Sequence, residues 1–394
     1  MIGERDAWAV LASVHGLGPV TFGLLLREHG SAGRVVELAA SPAGRRLIRD
    51  GPHGGRTRLS EEMVETLGRI AADPDPVLAG LRAAGTSLLT IDDEAYPARL
   101  RAIAEPPPVL FVRGDPASLG MPRAVGIVGT RRPTEAGRRV AARIADAVAR
   151  LGAVVVSGLA IGIDGAAHAA VVSAGLPTVA VLGSGHDRLF PKAHRRLAAA
   201  IVETAGAIVS ELPPDAGPTK GTFPRRNRLI SGLAEATVVV EAAEGSGALI
   251  TARWALEQGR GCFVVPGSID APKSAGCLAF LREFAGEARI VAGVPELIDD
   301  LDLVEADLQA DSRTRPGAPS HDAIMAILGR SEAAVAGALA DGATTIDELA
   351  DRSGLPVSSV LGTLTMLEIR GLVVSAYGRY RPAGVLAAAP PRLP

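Results

Sequence analysis

The stretch AVVVSGLAIGIDGAAHAAVVSAGLPTVAVLGSG, residues 153–185, decides the fold. A β-branched run ends on a Ser–Gly pair, a helix-like segment follows from Gly162, and a second apolar run at 177–182 ends on another glycine turn. The same texture extends outward in both directions. Apolar runs stand at 123–128 (RAVGIV), 206–210 (GAIVS), 236–241 (ATVVVE) and 262–266 (CFVVP), with helix-like stretches at 134–151 and 247–259. Upstream, TSLLTID (86–92) and PPVLFVRGD (107–115) read as two strands around a proline-rich connection. Short β-rich runs separated by helices predict a mostly parallel sheet with helices on both faces, an extended Rossmann-like α/β fold.

The flanks differ. At 394 residues the chain is too long for one ordinary core, and two or three domains are expected. Residues 1–72 read as an N-terminal helical domain. In it HGLGPVTFGLLLREHG (15–30) places a Gly-x-Gly turn before Pro19, the outline of a helix-hairpin-helix or of a hairpin that only packs. The sheet is expected over 85–298. Acidic and then Pro/Gly/Ser-rich residues at 299–320 read as a linker. Over 321–384, helix, turn at Gly354–Pro356, helix and hairpin give the outline of a winged-helix domain.

The formal net charge is −2, so a polyanion partner must be held by a local patch. The two cysteines, Cys262 and Cys277, make no disulfide framework and suit a cytoplasmic location. The N-terminus has no secretion-signal pattern, and no apolar run approaches a membrane span.

In an open parallel sheet ligands bind beyond the carboxyl ends of the strands. Those ends read GTR (129–131), SGLAIG (157–162), GSGH (183–186), ELPP (211–214), EGSG (244–247) and PGS (266–268). Glycine loops let backbone amides approach phosphates, so a phosphate-bearing ligand spread along this edge is expected. GIVGTR (126–131) lacks the third glycine of the dinucleotide fingerprint, and Ser157–Gly158 stands where a ribose-binding acid is expected. No P-loop occurs either, so no cofactor is expected. Ser157, Asp164 and His168 resemble a triad only superficially, since Asp164 and His168 fall on one helix start as cap and packed histidine. His186 and His194 lack metal-ligand spacing. Glu211 and Glu241 at strand ends are read either as general bases or as carboxylates tied to loop amides.

Against this edge falls TKGTFPRRNRLISG, residues 219–232, with Lys220, Arg225, Arg226 and Arg228 around Phe223. A positive groove with a stacking ring holds single strands without sequence preference. A solvated basic turn with Phe223 as a buried plug is the plainer alternative, and one arginine is expected to pair with Glu211 or Glu241.

The segments GIVGTRRPTEAG, SGLAIGIDGAAH, SELPP, FPRRNRLISGL, VVVEAAEGSGALITARWALEQGR and FVVPGSI, in this order, resemble the DprA/Smf family of DNA-processing proteins, strongly over 85–275. The resemblance implies non-catalytic binding of single-stranded DNA, homodimerisation, and loading of the RecA recombinase onto incoming DNA. It implies contacts at Arg131, Lys220, Phe223, Arg225, Arg226, Asn227 and Arg228, and at the loops of Ser157–Gly158 and Ser246–Gly247. The chain departs from the family pattern at Ala136 and Leu278. In the winged helix, PVSSVLGTLTMLEIRG (356–371) carries a single cation, Arg370, offset by Glu368. It reads more as a protein-contact helix than as a base reader, with Ser358, Thr363, Thr365, Arg379 and Arg381 keeping the nucleic-acid option open. The runner-up function is a nucleotide N-glycosidase with Glu241 as its carboxylate, and a third is a structural adaptor acting through the winged helix.

Overall fold

The computed structural model describes residues 2–50, 59–303, 328–369, 372–376, 379–382 and 386. They fall into two compact units, divided between Leu303 and Val304.

In the first unit the apolar runs become strands of one sheet. They are β1 (Ser87–Thr90), β2 (Val109–Gly114), β3 (Ala124–Val128), β4 (Val154–Ser157), β5 (Thr178–Val181), β6 (Ala207–Ser210), β7 (Ala236–Val239) and β8 (Gly261–Val264). A ninth, β9 (Ala288–Ile290), escapes the sequence pattern because only Ala288 of its three residues is buried. The order is β1-β2-β6-β5-β4-β3-β7-β8-β9, parallel from β6 through β9, with β2 antiparallel to β6 and β1 antiparallel to β2.

Strands β3 to β7 are buried along their whole length, which is why they read as unbroken apolar runs rather than alternating ones. Successive residues nevertheless serve opposite faces. Val154 and Val156 pack with Leu229, Ile230 and Leu233 of the helix Thr222–Leu233, whereas Val155 packs with Ile144 and Ile163 from the helices Glu135–Arg150 and Ile163–Ser173. The helix Thr222–Leu233 must run back along the sheet between the parallel strands β6 and β7. Its N-terminus, and the basic segment with it, therefore stands at the carboxyl-end rim.

Among the described residues six helices precede the sheet: Glu4–Ala12, Pro19–His29, Ala32–Ala39, Pro42–Asp50, Glu61–Ala72 and Asp75–Ala83. Trp8 and Phe22 meet at 5.2 Å within their core. Val109 and Phe111 of β2 belong to the same cluster, so helical layer and sheet share apolar packing.

The second unit contains the helices Arg330–Ala340, Ile346–Ser353 and Val357–Ile369 and a hairpin of β10 (Val373–Ala376) and β11 (Arg379–Pro382). Thr345 and Glu348 form a capping box, and Gly354 turns the chain at φ 68°. This is the winged-helix outline expected. Of the expected linker, 304–320 lie outside the described residues, while the helix Val294–Asp300 extends into its first positions and Leu303 is buried. Arg370 also lies outside the described residues. Among the described residues no helix is long and apolar enough to cross a membrane.

Two buried histidines make the fold sensitive to acid. His168 pairs through Nδ1 with Thr178 Oγ1 at 2.9 Å, and that hydroxyl donates to the Val155 carbonyl, so the imidazole Nδ1–H is the donor. His186 Nε2 meets the Ile208 carbonyl at 3.0 Å. Burial pushes His168 down to about 3 and His186 to about 4, from an ordinary 6.5. The folded protein keeps both rings neutral while the unfolded chain takes up protons below about pH 6.5, so stability is lost as pH falls through that window. Urea midpoints should therefore drop between pH 7 and pH 5 by the equivalent of about 1–2 kcal/mol per histidine. A His168→Gln, His186→Gln variant should show a flatter pH profile over the same range.

Candidate nucleic-acid interface

The strand order reverses between β3 and β7, and the crevice of such a sheet opens at that switch. A cleft of about 330 Å³ lies there. Val128, Gly129 and Arg131 reach it from the end of β3, Ala160 and Asp164 from beyond β4, and Ser246, Gly247, Ala248, Ile250 and Thr251 from beyond β7. Phe223, Pro224, Arg226, Asn227 and Ile230 close it from the helix Thr222–Leu233.

The cations of 220–228 divide into two sets. Lys220 and Arg225 are exposed, whereas Arg226 and Arg228 retain 5% and 2% of their surface. Arg228 is withdrawn from any ligand: its Nη2 lies 2.5 Å from Glu211 Oε2, while Arg225 Nε approaches Glu211 Oε1 at 3.6 Å. This corrects the expectation of a phosphate contact at Arg228 and supplies the structural pair with Glu211. The cause is packing, since the helix from Arg226 onward is buried on all sides between the sheet and the helix Gly247–Glu257.

Arg226 forms the floor. Its guanidinium donates to the carbonyls of Gly158 at 2.7 Å and of Val181, and it faces Asp164. Desolvation lowers its pKa to about 10, which the Asp164 charge partly offsets, so it stays cationic at neutral pH. Burial pushes the Asp164 carboxyl up, against Arg226 and the amides of Ala160, Gly158 and Gly129. Asn227 extends the floor by donating from Nδ2 to the Gly247 carbonyl at 3.0 Å.

The glycine loops are less available than the sequence implies. The Gly158 N–H is committed to Asp164 at 3.1 Å, and a Cβ at 158 would stand 2.3 Å from the Arg226 guanidinium. At Gly183 a Cβ would stand 2.8 Å from the Phe223 ring. These glycines admit other parts of the protein, not a phosphate. Ser157 is likewise fully buried, its Oγ donating to the Ile127 carbonyl at 2.5 Å. The EGSG loop differs. Nothing stands within 4 Å of a Cβ at Gly245 or Gly247, and Ser246 caps the helix Gly247–Glu257 with its Oγ. Gly247 is exposed at the start of that helix, where the Ala248 and Leu249 N–H groups turn back to Ser246.

Phe223 is half-buried, with Gly183 against it and the Arg131 guanidinium carbon 5.5 Å from its ring centre. Arg131 itself is exposed. A second ring, Phe190, which no sequence motif marks, approaches Phe223 at 5.6 Å and 59°. Its signal was an aromatic between Arg188 and Lys192, both exposed, in a loop considered only for its histidines.

The would-be catalytic groups are engaged elsewhere. None of the side chains of Ser157, Asp164 and His168 bonds another of the three. Glu241 accepts from the Thr134 N–H at 2.8 Å and its Oγ1 at 2.5 Å, fastening the start of the helix Glu135–Arg150. Both strand-end carboxylates are thus tied, Glu241 to a cap and Glu211 to arginines. Among the described residues no cluster of three or more His, Cys, Asp or Glu is placed to hold a metal ion.

Comparison with known proteins agrees with this architecture. Residues 87–302 match the family model described as DNA recombination-mediator protein A, and residues 309–379 match the DprA winged helix domain. The DNA processing protein DprA of Bacillus subtilis is 43% identical over 53% of this chain and 70% of its own length. Protein Smf of Escherichia coli is 38% identical over 74% of this chain and 76% of its own length. Among solved structures, DNA processing protein A from Streptococcus pneumoniae aligns with a TM-score of 0.62 at 29% identity, over 76% of this chain and 98% of that one. A family model covering more than half of the residues, and relatives of this identity and coverage, establish that the chain belongs to the DprA/Smf family of DNA-processing proteins.

Proposed function

We propose that the chain binds single-stranded DNA along the carboxyl-end rim without chemistry, protects it, and hands it to a RecA recombinase, working as a cytoplasmic homodimer. The observation that carries the binding step is the half-buried Phe223 ring and the exposed Arg131 lining one cleft, with the exposed Lys220 three residues before that ring and the exposed Arg225 two residues after it. Cations supply sequence-independent attraction to phosphates, and the aromatic face accepts any base. Phosphates lie on Arg131, Lys220, Arg225 and the Gly247 N–H, while Arg226 and Asn227 shape the floor and Ser246 orients the helix start. The RecA and dimer roles rest on membership of the family. The engagement of Glu241 and Glu211 weighs against the N-glycosidase alternative, which needs a carboxylate free to act on a base.

A Lys220→Glu, Arg225→Glu variant should bind a fluorescent poly-dT strand more than about tenfold more weakly. Its salt dependence should be shallower by about 1.4, two phosphates at about 0.7 each, with far-UV circular dichroism unchanged. Unaltered retention in a mobility-shift assay overturns the proposal. A second variant tests the helix start. Gly247 is the first residue of its helix and Ser246 is already extended (φ −62°, ψ 135°), so Gly247→Pro removes one N–H without obstructing the helix. Affinity for poly-dT should fall about two- to tenfold while the melting temperature holds.

A further inference from the structure

We propose that Phe190 is a second stacking platform, receiving the base next to the one on Phe223, so that the strand is bound with its bases separated from one another. The proposal rests on the single-strand reading above and deepens it.

Among the described residues Phe190 is the only aromatic side chain in the exposed class, with 46% of its surface open. An apolar ring left in water beside another ring, on the rim that carries Arg131 and Lys220, lacks the cover that a packing role would give it. Ile161, in the loop after β4, and Ile250, in the first turn of the helix Gly247–Glu257, are 48% and 36% exposed on the same rim. The rim is thus lined with uncovered apolar groups between its cations.

The geometry decides how bases fit. A base sandwiched between two parallel rings needs about 7 Å, twice a contact distance of about 3.5 Å. Phe190 and Phe223 are 5.6 Å apart and inclined at 59°, so no base enters between them. With the two planes inclined, a base meets one ring at a time. The separation also exceeds the rise of about 3.4 Å between stacked bases, so neighbouring bases on the two rings cannot remain stacked on each other. Phe223 is the more encumbered ring, held between Gly183 and Arg131. Phe190 carries no such cover. The ligand class is therefore an extended, unstacked single strand. Runs that stack poorly by themselves, such as oligo-dT, are favoured over oligo-dA.

The test compares full-length wild type with Phe190→Ala, Phe190→Leu, Phe223→Ala and the Phe190→Ala, Phe223→Ala double variant, titrated with fluorescent dT and dA oligonucleotides of equal length. Phe190→Ala should weaken dT binding about 5- to 150-fold, the range for loss of one stacked base, and Phe190→Leu should weaken it comparably. Adding Phe190→Ala to Phe223→Ala should cost a further loss. A dT strand carrying two adjacent 2-aminopurines should brighten on binding wild type, as the pair unstacks, and much less on binding Phe190→Ala. If Phe190→Leu binds as wild type does, or Phe190→Ala has no effect once Phe223 is gone, Phe190 merely buttresses Phe223 and the proposal is overturned while single-strand binding stands. If wild type binds neither oligonucleotide, both fall.

Discussion

A buried guanidinium holds the rim together. Arg226 inserts beneath the ends of β4 and β5, donating to the carbonyls of Gly158 and Val181, and faces Asp164. Asp164 in turn gathers amides from Gly129, Gly158 and Ala160, the loops after β3 and β4. A charge this far from water is costly unless paired and fully hydrogen-bonded, so the loops are bound to one arrangement by the groups that satisfy it. Removing either partner would leave the other charge buried and alone. The same network sets the helix Thr222–Leu233 against the sheet, which is what carries Phe223 to the cleft, with Lys220 and Arg225 on either side of it in the chain.

From that network follows a division of labour along one short segment. Lys220 and Arg225 face water, whereas Arg226 and Arg228 are consumed by Asp164, Glu211 and carbonyl oxygens. The charge offered to a polyanion is half of what the residue count implies. In a chain of net charge −2 the exposed cations of this segment form only a local patch, and Arg131 arrives from a different strand end. A buried arginine loses its salt-dependent reach but gains in fixing geometry, and an exposed one does the reverse.

The sheet was legible because β3 to β7 are buried on both faces and separated by helices, a pattern that periodicity detects without tertiary information. Ala288–Ile290 was not legible, since an edge strand with Arg289 and Ile290 exposed carries no apolar run. The location of the site was also readable, as strand ends and the basic segment had to share one rim. What the sequence could not reveal was the inward or outward sense of each residue. RRNRLIS has no helical amphipathic period because Arg226 to Leu233 are buried all round. Nor does a glycine announce whether its missing Cβ makes room for a ligand or for the protein itself. At Gly158 and Gly183 the occupants are Arg226 and Phe223, and only coordinates distinguish these from the open Gly247.

The two rings bring the same point to the apolar side of the rim. Phe223 sits in a motif with four cations and is conspicuous in sequence, yet folding spends part of its surface on Gly183 and Arg131. Phe190 stands in an inconspicuous loop and keeps nearly half of its surface free. Stacking energy scales with the face a ring can present, not with the specificity of the motif around it. A tilt of 59° at 5.6 Å lets one ring support the other without covering it, so packing and exposure are reconciled in a single contact. The loop after β5 thereby stands on the same rim as the start of the helix that carries Phe223.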